Sequence, residues 1–193
     1  MLSKQSKGRF VLIGISLMFF IPIFISWYLV FFSSYKDDIK TVNHGELINP
    51  IISMGEIKMK SVSNNSLYSH DRTWLLLFVI DGQCEEQCQK NLYQLRQIRL
   101  AIGKDQDKLD RLLISSNQLS WDLYKSDYPG QKYIDPSLPN FNNIVSLLKS
   151  NKDFNADSIY LIDPYGNLMM QYPKDVDPKG IIKDIERLIR NVR

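Results

Sequence analysis

The chain has 193 residues, of which 44% are hydrophobic and 23% charged, and this composition predicts a folded protein of one domain with a short extension. Lys4, Lys7 and Arg9 carry the whole formal net charge of +3, so the rest of the chain is neutral. This charge pattern argues against nucleic acid as a partner. The sequence also lacks a Gly-rich phosphate loop, G-x-S-x-G and H-E-x-x-H, which argues against hydrolytic and phosphate-binding functions.

Residues 10–32 form an uncharged run, FVLIGISLMFFIPIFISWYLVFF, that predicts a transmembrane helix. The three cations before it place residues 1–9 in the cytoplasm and the remainder outside it. We therefore expect a single-pass inner-membrane protein whose C-terminal domain is periplasmic, or lies in the mitochondrial intermembrane space. Disulfides persist in both compartments. Residues 33–69 are interpreted as a linker and an irregular lead-in with short strands, and residues 70–193 as the folded domain.

The sequence predicts alternating strands and helices in the folded domain. Thr73 to Ile80 is an apolar run typical of a central strand. The further elements, in chain order, are a helix from Cys88 to Gly103, a strand at 112–114, a polar connection at 117–138, a helix near 141–148, a β-hairpin at 158–172 and a closing helix capped by Asp177. This order predicts a thioredoxin-like α/β fold: a central mixed sheet with helices on both faces.

The two cysteines of the chain, Cys84 and Cys88, stand at the junction between the first strand and its helix. A helix start favours a thiolate, and residues four apart lie on one helical face, so the Cα atoms should be about 6 Å apart. This geometry suits a disulfide, and it equally suits two thiolates converging on Cu(I). Glu85 and Glu86 disfavour an isolated thiolate, which tilts the choice slightly toward a bound cation.

The sequence resembles the Sco (SenC-type) proteins, most strongly in two places. One is Cys84-Glu85-Glu86-Gln87-Cys88, and the other is the run IYLIDPYGN at 159–167. The resemblance covers residues 70–193. It implies a membrane-tethered thioredoxin-fold factor that helps to assemble the copper centre of cytochrome c oxidase. It also implies that Cys84 and Cys88 bind copper together with one histidine, placed a few residues before the IYLIDPYGN strand.

The expected histidine is absent, because Asn155 stands at its position. His70 precedes the first strand and should lie about 23 Å from the cysteines. His44 is interpreted as a polar turn residue without a ligand role. Met169 and Met170 are soft enough for Cu(I), but core packing explains at least one of them better. Two thiolates still suit Cu(I), whereas Cu(II) is disfavoured.

Three functions follow from this reading. The first is a Sco-like assembly factor that carries Cu(I), or that adjusts the redox state of cysteines in the copper-binding subunit of a respiratory oxidase. Cys84 would then be the attacking thiolate and Cys88 the resolving one. The second is a membrane-tethered thiol–disulfide oxidoreductase with other extracytoplasmic clients, although no proline precedes the hairpin strand as it does in the generic enzymes. The third is a scaffold without metal chemistry, whose Tyr-rich loop at 121–133 binds a partner protein.

Overall fold

A computed structural model describes residues 4–32 and 43–191, and the chain divides into two compact units, Met1–Val42 and Asn43–Arg193. In the first unit, helix α1 (Lys4–Phe32) contains Pro22. Its segment Leu12–Leu29 is long and apolar enough to cross a membrane, a property that permanent anchors share with signal sequences. The part of the predicted linker at 33–42 lies outside the described residues.

The second unit contains eight strands and four α-helices within residues 43–191. They are β1 (Glu46–Ser53), β2 (Lys58–Ser61), β3 (Leu67–Ser69), β4 (Trp74–Ile80), α2 (Glu86–Ala101), β5 (Leu109–Ser115), α3 (Gln118–Asp122), β6 (Lys132–Ile134), α4 (Phe141–Ser150), β7 (Ile159–Ile162), β8 (Asn167–Tyr172) and α5 (Pro178–Asn191). Two short 3₁₀ segments, Gly103–Lys108 and Lys125–Asp127, complete the described elements.

The strands form one mixed sheet in the order β1-β8-β7-β4-β5-β6-β2-β3. The pairs β4/β5 and β5/β6 are parallel, whereas β7 pairs antiparallel with both β4 and β8. The register joins Phe78 to Ile159 and Ile159 to Tyr172. The start of β7 and the end of β8 therefore lie at the same end of the sheet as the end of β4.

Each face of the sheet carries its own hydrophobic core, because successive side chains of a strand point to opposite faces. Leu76 and Phe78 of β4 pack with α2 and α5, while Leu75 and Leu77 pack with α4. All seven residues of β4 are buried, as its unbroken apolar run predicts. The predicted mixed sheet with helices on both faces is confirmed.

The structure is more regular than the sequence-based expectation in two segments. The lead-in, expected to be irregular with short strands, supplies three strands, β1 to β3, to the same sheet, and Asn43–Arg193 forms one compact unit. The connection at 117–138 holds α3 and β6, and its Trp121 is 1% exposed in the core. Both elements of this connection span five residues or fewer, which is too short for a periodic pattern to be read.

Candidate functional site

The candidate site is built at the corner where β4 ends and α2 begins. Gly82 adopts a positive φ of 88°, which a residue with a side chain rarely takes up, and this turns the chain away from the sheet. Ser116, directly after the neighbouring β5, fixes the turn from outside. Its hydroxyl accepts a hydrogen bond from the Gly82 N–H at 3.2 Å and donates to the Asp81 carboxylate at 3.0 Å. The corner is thus held by two adjacent parallel strands.

Cys84 and Cys88 form a disulfide in this corner, with their Cα atoms 5.1 Å apart. Cys84 lies two residues before α2 and is 8% exposed, whereas Cys88 is the third residue of α2 and is half-buried. The backbone N–H groups of a first helical turn favour a thiolate at either position. The two cysteines therefore differ mainly in exposure, and Cys88 is the more accessible of the two.

Gln89 connects the corner to the segment that follows β5. Its side-chain amide donates to the Tyr124 hydroxyl at 2.9 Å and to the Cys84 carbonyl at 3.4 Å. Tyr124 packs against the core cluster that contains Cys84 and Trp121. The segment around α3 therefore adjoins the cysteine corner.

Asn91 connects α2 to the loop that precedes β7. It is 1% exposed, and its amide donates to the Asp157 carbonyl at 3.0 Å while its oxygen accepts from the Gln87 side chain at 3.1 Å. Gln87 itself stands between the two cysteines in the sequence. A buried amide that is satisfied on both sides fixes its neighbours, because breaking either bond would leave a polar group unpaired.

Asn155 lies in this same loop, in the place where the Sco resemblance implies a histidine. It is exposed, and its side-chain oxygen accepts the Asp157 N–H at 2.9 Å in a local turn. Its backbone N–H and carbonyl both bond to the buried Tyr160 hydroxyl, at 2.8 and 2.9 Å. The side chain of Asn155 thus shapes the loop in this structure.

Among the described residues, neither histidine joins the two cysteines in a group that could hold a metal ion. His70 contacts the Thr73 carbonyl at 2.6 Å before β4 begins, so the length of β4 separates it from Cys84, as predicted. His44 lies beside β1, three strands from β4, or about 14 Å across the sheet. Its ring Nδ1 contacts the buried carboxylate of Asp184 in α5 at 3.1 Å. The interpretation of His44 as a turn residue therefore missed a buried partner in α5.

The donor atoms near the corner fit Cu(I) only through sulfur. Among the described residues, no group of three or more His, Cys, Asp or Glu side chains could hold a metal ion. Met170 is 1% exposed in the core, as expected for at least one of the two methionines, and Met169 is packed against the same core. Two thiolates from Cys84 and Cys88, once reduced, would be the ligands that remain, and they suit Cu(I) rather than Cu(II).

The surface around the corner is acidic. Asp81, Glu85 and Glu86 are exposed, and within the described residues none of them lies within ion-pair distance of a cation. Lys90, also exposed, is the nearest cation along α2. The predicted pair of carboxylates beside the thiols is thus joined by Asp81 from the preceding turn.

The comparison with protein families gives one match: the model of the transmembrane-like, thioredoxin-like, C-terminal domain family covers residues 74–191. The chain belongs to this family. The match contains β4, both cysteines and every later element up to the end of α5. No curated protein sequence matches the chain.

Solved structures extend the comparison. The copper-bound ScoI of Bradyrhizobium japonicum is 19% identical with a TM-score of 0.53, over 70% of this chain and 98% of that one. BsSco, a Sco-family cytochrome c oxidase assembly protein with a disulfide switch, is 13% identical with a TM-score of 0.54, over 74% and 95%. The thioredoxin domain of a Bacteroides vulgatus thiol-disulfide oxidoreductase is 14% identical with a TM-score of 0.50, over 71% and 95%. At these identities the likeness shows the fold, and it confirms the Sco resemblance at that level.

Sequence reasoning found both cysteines but missed the polar side chains that hold their corner. Gln89, Asn91 and Ser116 belong to no motif. Of these three residues, only Asn91 could have been found from the sequence. It lies four residues before Leu95 on the apolar stripe of α2, and an amide buried there needs hydrogen-bond partners.

Proposed function

We propose that the chain is a membrane-tethered, Sco-like thiol–disulfide exchange factor that adjusts the oxidation state of a cysteine pair in an extracytoplasmic client. One observation carries this proposal. Cys84 and Cys88 are joined at a strand-to-helix corner whose described surroundings offer sulfur chemistry and no third metal donor. The favoured client is the copper-binding subunit of a respiratory oxidase, in keeping with the assembly role of the Sco-fold protein BsSco.

In the proposed reaction the dithiol form reduces the client. One thiolate attacks a sulfur of the client disulfide, which forms a mixed disulfide and releases a client thiolate that takes up a proton. The second cysteine then attacks the mixed disulfide, so the client leaves as a dithiol and Cys84–Cys88 closes. Two electrons pass to the client, and an external thiol donor must reopen the pair. The position of Cys84 at the helix start predicts that Cys84 is the attacking cysteine, whereas the greater exposure of Cys88 favours Cys88.

We also propose where each part of the chain lies relative to the membrane. Residues 10–32 anchor the chain permanently, residues 1–9 lie in the cytoplasm, and the domain faces the periplasm or the intermembrane space. A tether of this kind keeps the cysteine corner close to membrane-bound clients and raises its effective concentration there. The domain is taken to begin at Asn43, since β1 to β3 belong to its sheet.

Mixed-disulfide trapping tests the function. Full-length Cys84→Ser and Cys88→Ser variants would be expressed in membranes and treated with acid and an alkylating agent. Non-reducing electrophoresis and mass spectrometry would then identify covalent partners. A partner trapped by only one variant supports exchange and names the attacking cysteine. If neither variant traps a partner while the Cys84→Ser/Cys88→Ser double variant still supports oxidase assembly, the scaffold reading replaces this proposal.

Cu(I) carriage is the second candidate function, because the adjacent sulfurs lie on a fold that ScoI presents with copper bound. Copper would here be cargo held by Cys84 and Cys88. An anaerobic Cu(I) competition titration of the reduced full-length chain in detergent, beside both single Ser variants, tests it. One tightly bound Cu(I), lost in both variants, would establish carriage. Binding no stronger than in the variants would leave exchange alone.

A further inference from the structure

Two exposed leucines lie in the segment around α3, beside the cysteine corner. Leu119 and Leu123 are 79% and 74% exposed, and among the described hydrophobic residues of this unit only Tyr165, in the turn between β7 and β8, matches them. Leu119 lies in α3 and Leu123 directly follows it, with the buried Trp121 midway between them. Two neighbouring leucines this exposed are available to a partner, because contact with it would remove their apolar surface from water.

These leucines are held in place. Trp121, between them, is buried in the core, and Tyr124, directly after Leu123, accepts the hydrogen bond from Gln89. Gln89 is the residue after Cys88 and also reaches the Cys84 carbonyl. The apolar pair therefore lies on a segment that is anchored in the core by Trp121 and bonded to the cysteine corner through Tyr124. A preorganised surface loses little conformational entropy when a partner binds.

The charges around the cysteines indicate which kind of partner would contact the leucines. Asp81, Glu85 and Glu86 surround the cysteines without ion-paired cations in the described part of the chain. At the end of α3, Asp122 pairs at 2.8 Å with Lys125 of the following 3₁₀ segment, and this pair adds no net charge. An acidic rim attracts cationic segments and repels acidic ones, which affects the rate of encounter most strongly.

We propose that Leu119 and Leu123, together with Asp81, Glu85 and Glu86, form a client-docking surface for a polypeptide segment whose cysteine is flanked by apolar and basic residues. The leucines bury the apolar side chains of the segment, while the carboxylates pair with its cations. The client cysteine is thereby brought to the half-buried Cys88. This inference rests on the proposed function, and it names the partner chemistry of the same site.

Peptide kinetics test the docking surface. The probes are two synthetic peptides, each with one cysteine carried as a 2-thiopyridyl mixed disulfide, flanked by Leu and Lys in one and by Ser and Glu in the other. The small, uncharged 2,2′-dithiodipyridine is the third probe. The reduced full-length chain in detergent reacts with each, and released pyridine-2-thione gives the second-order rate constant. The readout is the ratio of the two peptide rates within one variant, in which altered thiolate reactivity cancels, and the small probe reports that reactivity separately.

The Leu/Lys peptide should react about tenfold faster than the Ser/Glu peptide in the unaltered chain. This ratio should fall toward one in Leu119→Ser/Leu123→Ser, and in Glu85→Gln/Glu86→Gln. It should also shrink at about 1 M salt, where exposed charges are screened. Leu67→Ser, at an exposed leucine of β3, is the matched control and should keep the full ratio.

Equal rates for the two peptides, or a ratio that survives Leu119→Ser/Leu123→Ser, would overturn the docking surface while leaving thiol exchange in place. A reduced chain that fails to react even with the small probe would overturn the docking surface and the proposed function together.

Discussion

The carboxylate of Asp184 in α5 holds the beginning of the folded domain. It accepts hydrogen bonds from the His44 N–H at 2.7 Å and the Gly45 N–H at 3.0 Å, and its other oxygen contacts the His44 ring at 3.1 Å. Asp184 is 2% exposed, whereas the His44 side chain is 42% exposed. We therefore expect Asp184→Ala to destabilise the domain far more than His44→Ala.

The magnitudes follow from what each substitution leaves behind. Asp184→Ala leaves two backbone N–H groups without their charged acceptor, and each such bond is worth about 1.5–3 kcal/mol. Relief of the cost of burying the carboxylate offsets part of this loss, so the net destabilisation should be about 2–3 kcal/mol. His44→Ala removes only a partly exposed ring contact and should cost about 0.5–1 kcal/mol.

Urea unfolding of the full-length chain in detergent, followed by tryptophan fluorescence, measures both values. Hydrogen exchange of peptides covering β1 supplies a local readout, because Asp184→Ala should speed exchange there before it does in β4. Asp184→Asn keeps one oxygen as an acceptor and serves as the control with an intermediate loss. Equal losses for His44→Ala and Asp184→Ala would refute the reasoning, since the ring and not the backbone would then carry the interaction.

Three further predictions concern other polar groups. A hydrogen bond from Lys60 lowers the pKa of Asp135 from 3.8 to about 2, so this carboxylate stabilises the fold above pH 3.8 and the contribution is lost as the pH falls toward 2. Asp135→Asn should cost about 1–2 kcal/mol at pH 7 and progressively less as the pH falls through about 2, as urea midpoints across this range would show. Asn91→Ala leaves the Asp157 carbonyl without its buried donor, so it should cost about 1–3 kcal/mol and speed hydrogen exchange ahead of β7 more than in α5. Asn155→His supplies an imidazole beside the cysteine corner, and a Cu(I) competition titration should show binding tightened about tenfold; unchanged affinity would contradict this placement of the loop.

The strongly patterned elements were predictable because their patterns are local. A window of about fifteen residues is enough to recognise the apolar run of β4, the apolar stripe of α2 or the hairpin of β7 and β8. Asp177 caps α5 as predicted, since its side chain accepts the Lys179 N–H at 3.0 Å.

The lead-in was not predictable in this way, because its stabilising partners are distant in sequence. β1 pairs with β8 through an irregular register, and His44 meets Asp184 across 140 positions. No periodic pattern in residues 41–69 encodes either contact. The same holds for β6, whose three residues form a strand only because β5 and β2 lie on its two sides.

The candidate site, too, was predictable only where it depends on local sequence. The spacing of Cys84 and Cys88 is local, and it predicted a pair that can be bridged. Whether a third ligand joins them depends on tertiary contacts, and within the described residues those contacts bring no histidine to the pair. The ring of His44 contacts Asp184 beside β1, three strands from β4, and the side chain of Asn155 closes its own turn. Cu(I) would therefore be held by the two sulfurs alone, whereas disulfide exchange needs only that the sulfurs be reached. The lack of a third donor in the described surroundings is the physical reason for ranking thiol exchange above copper carriage.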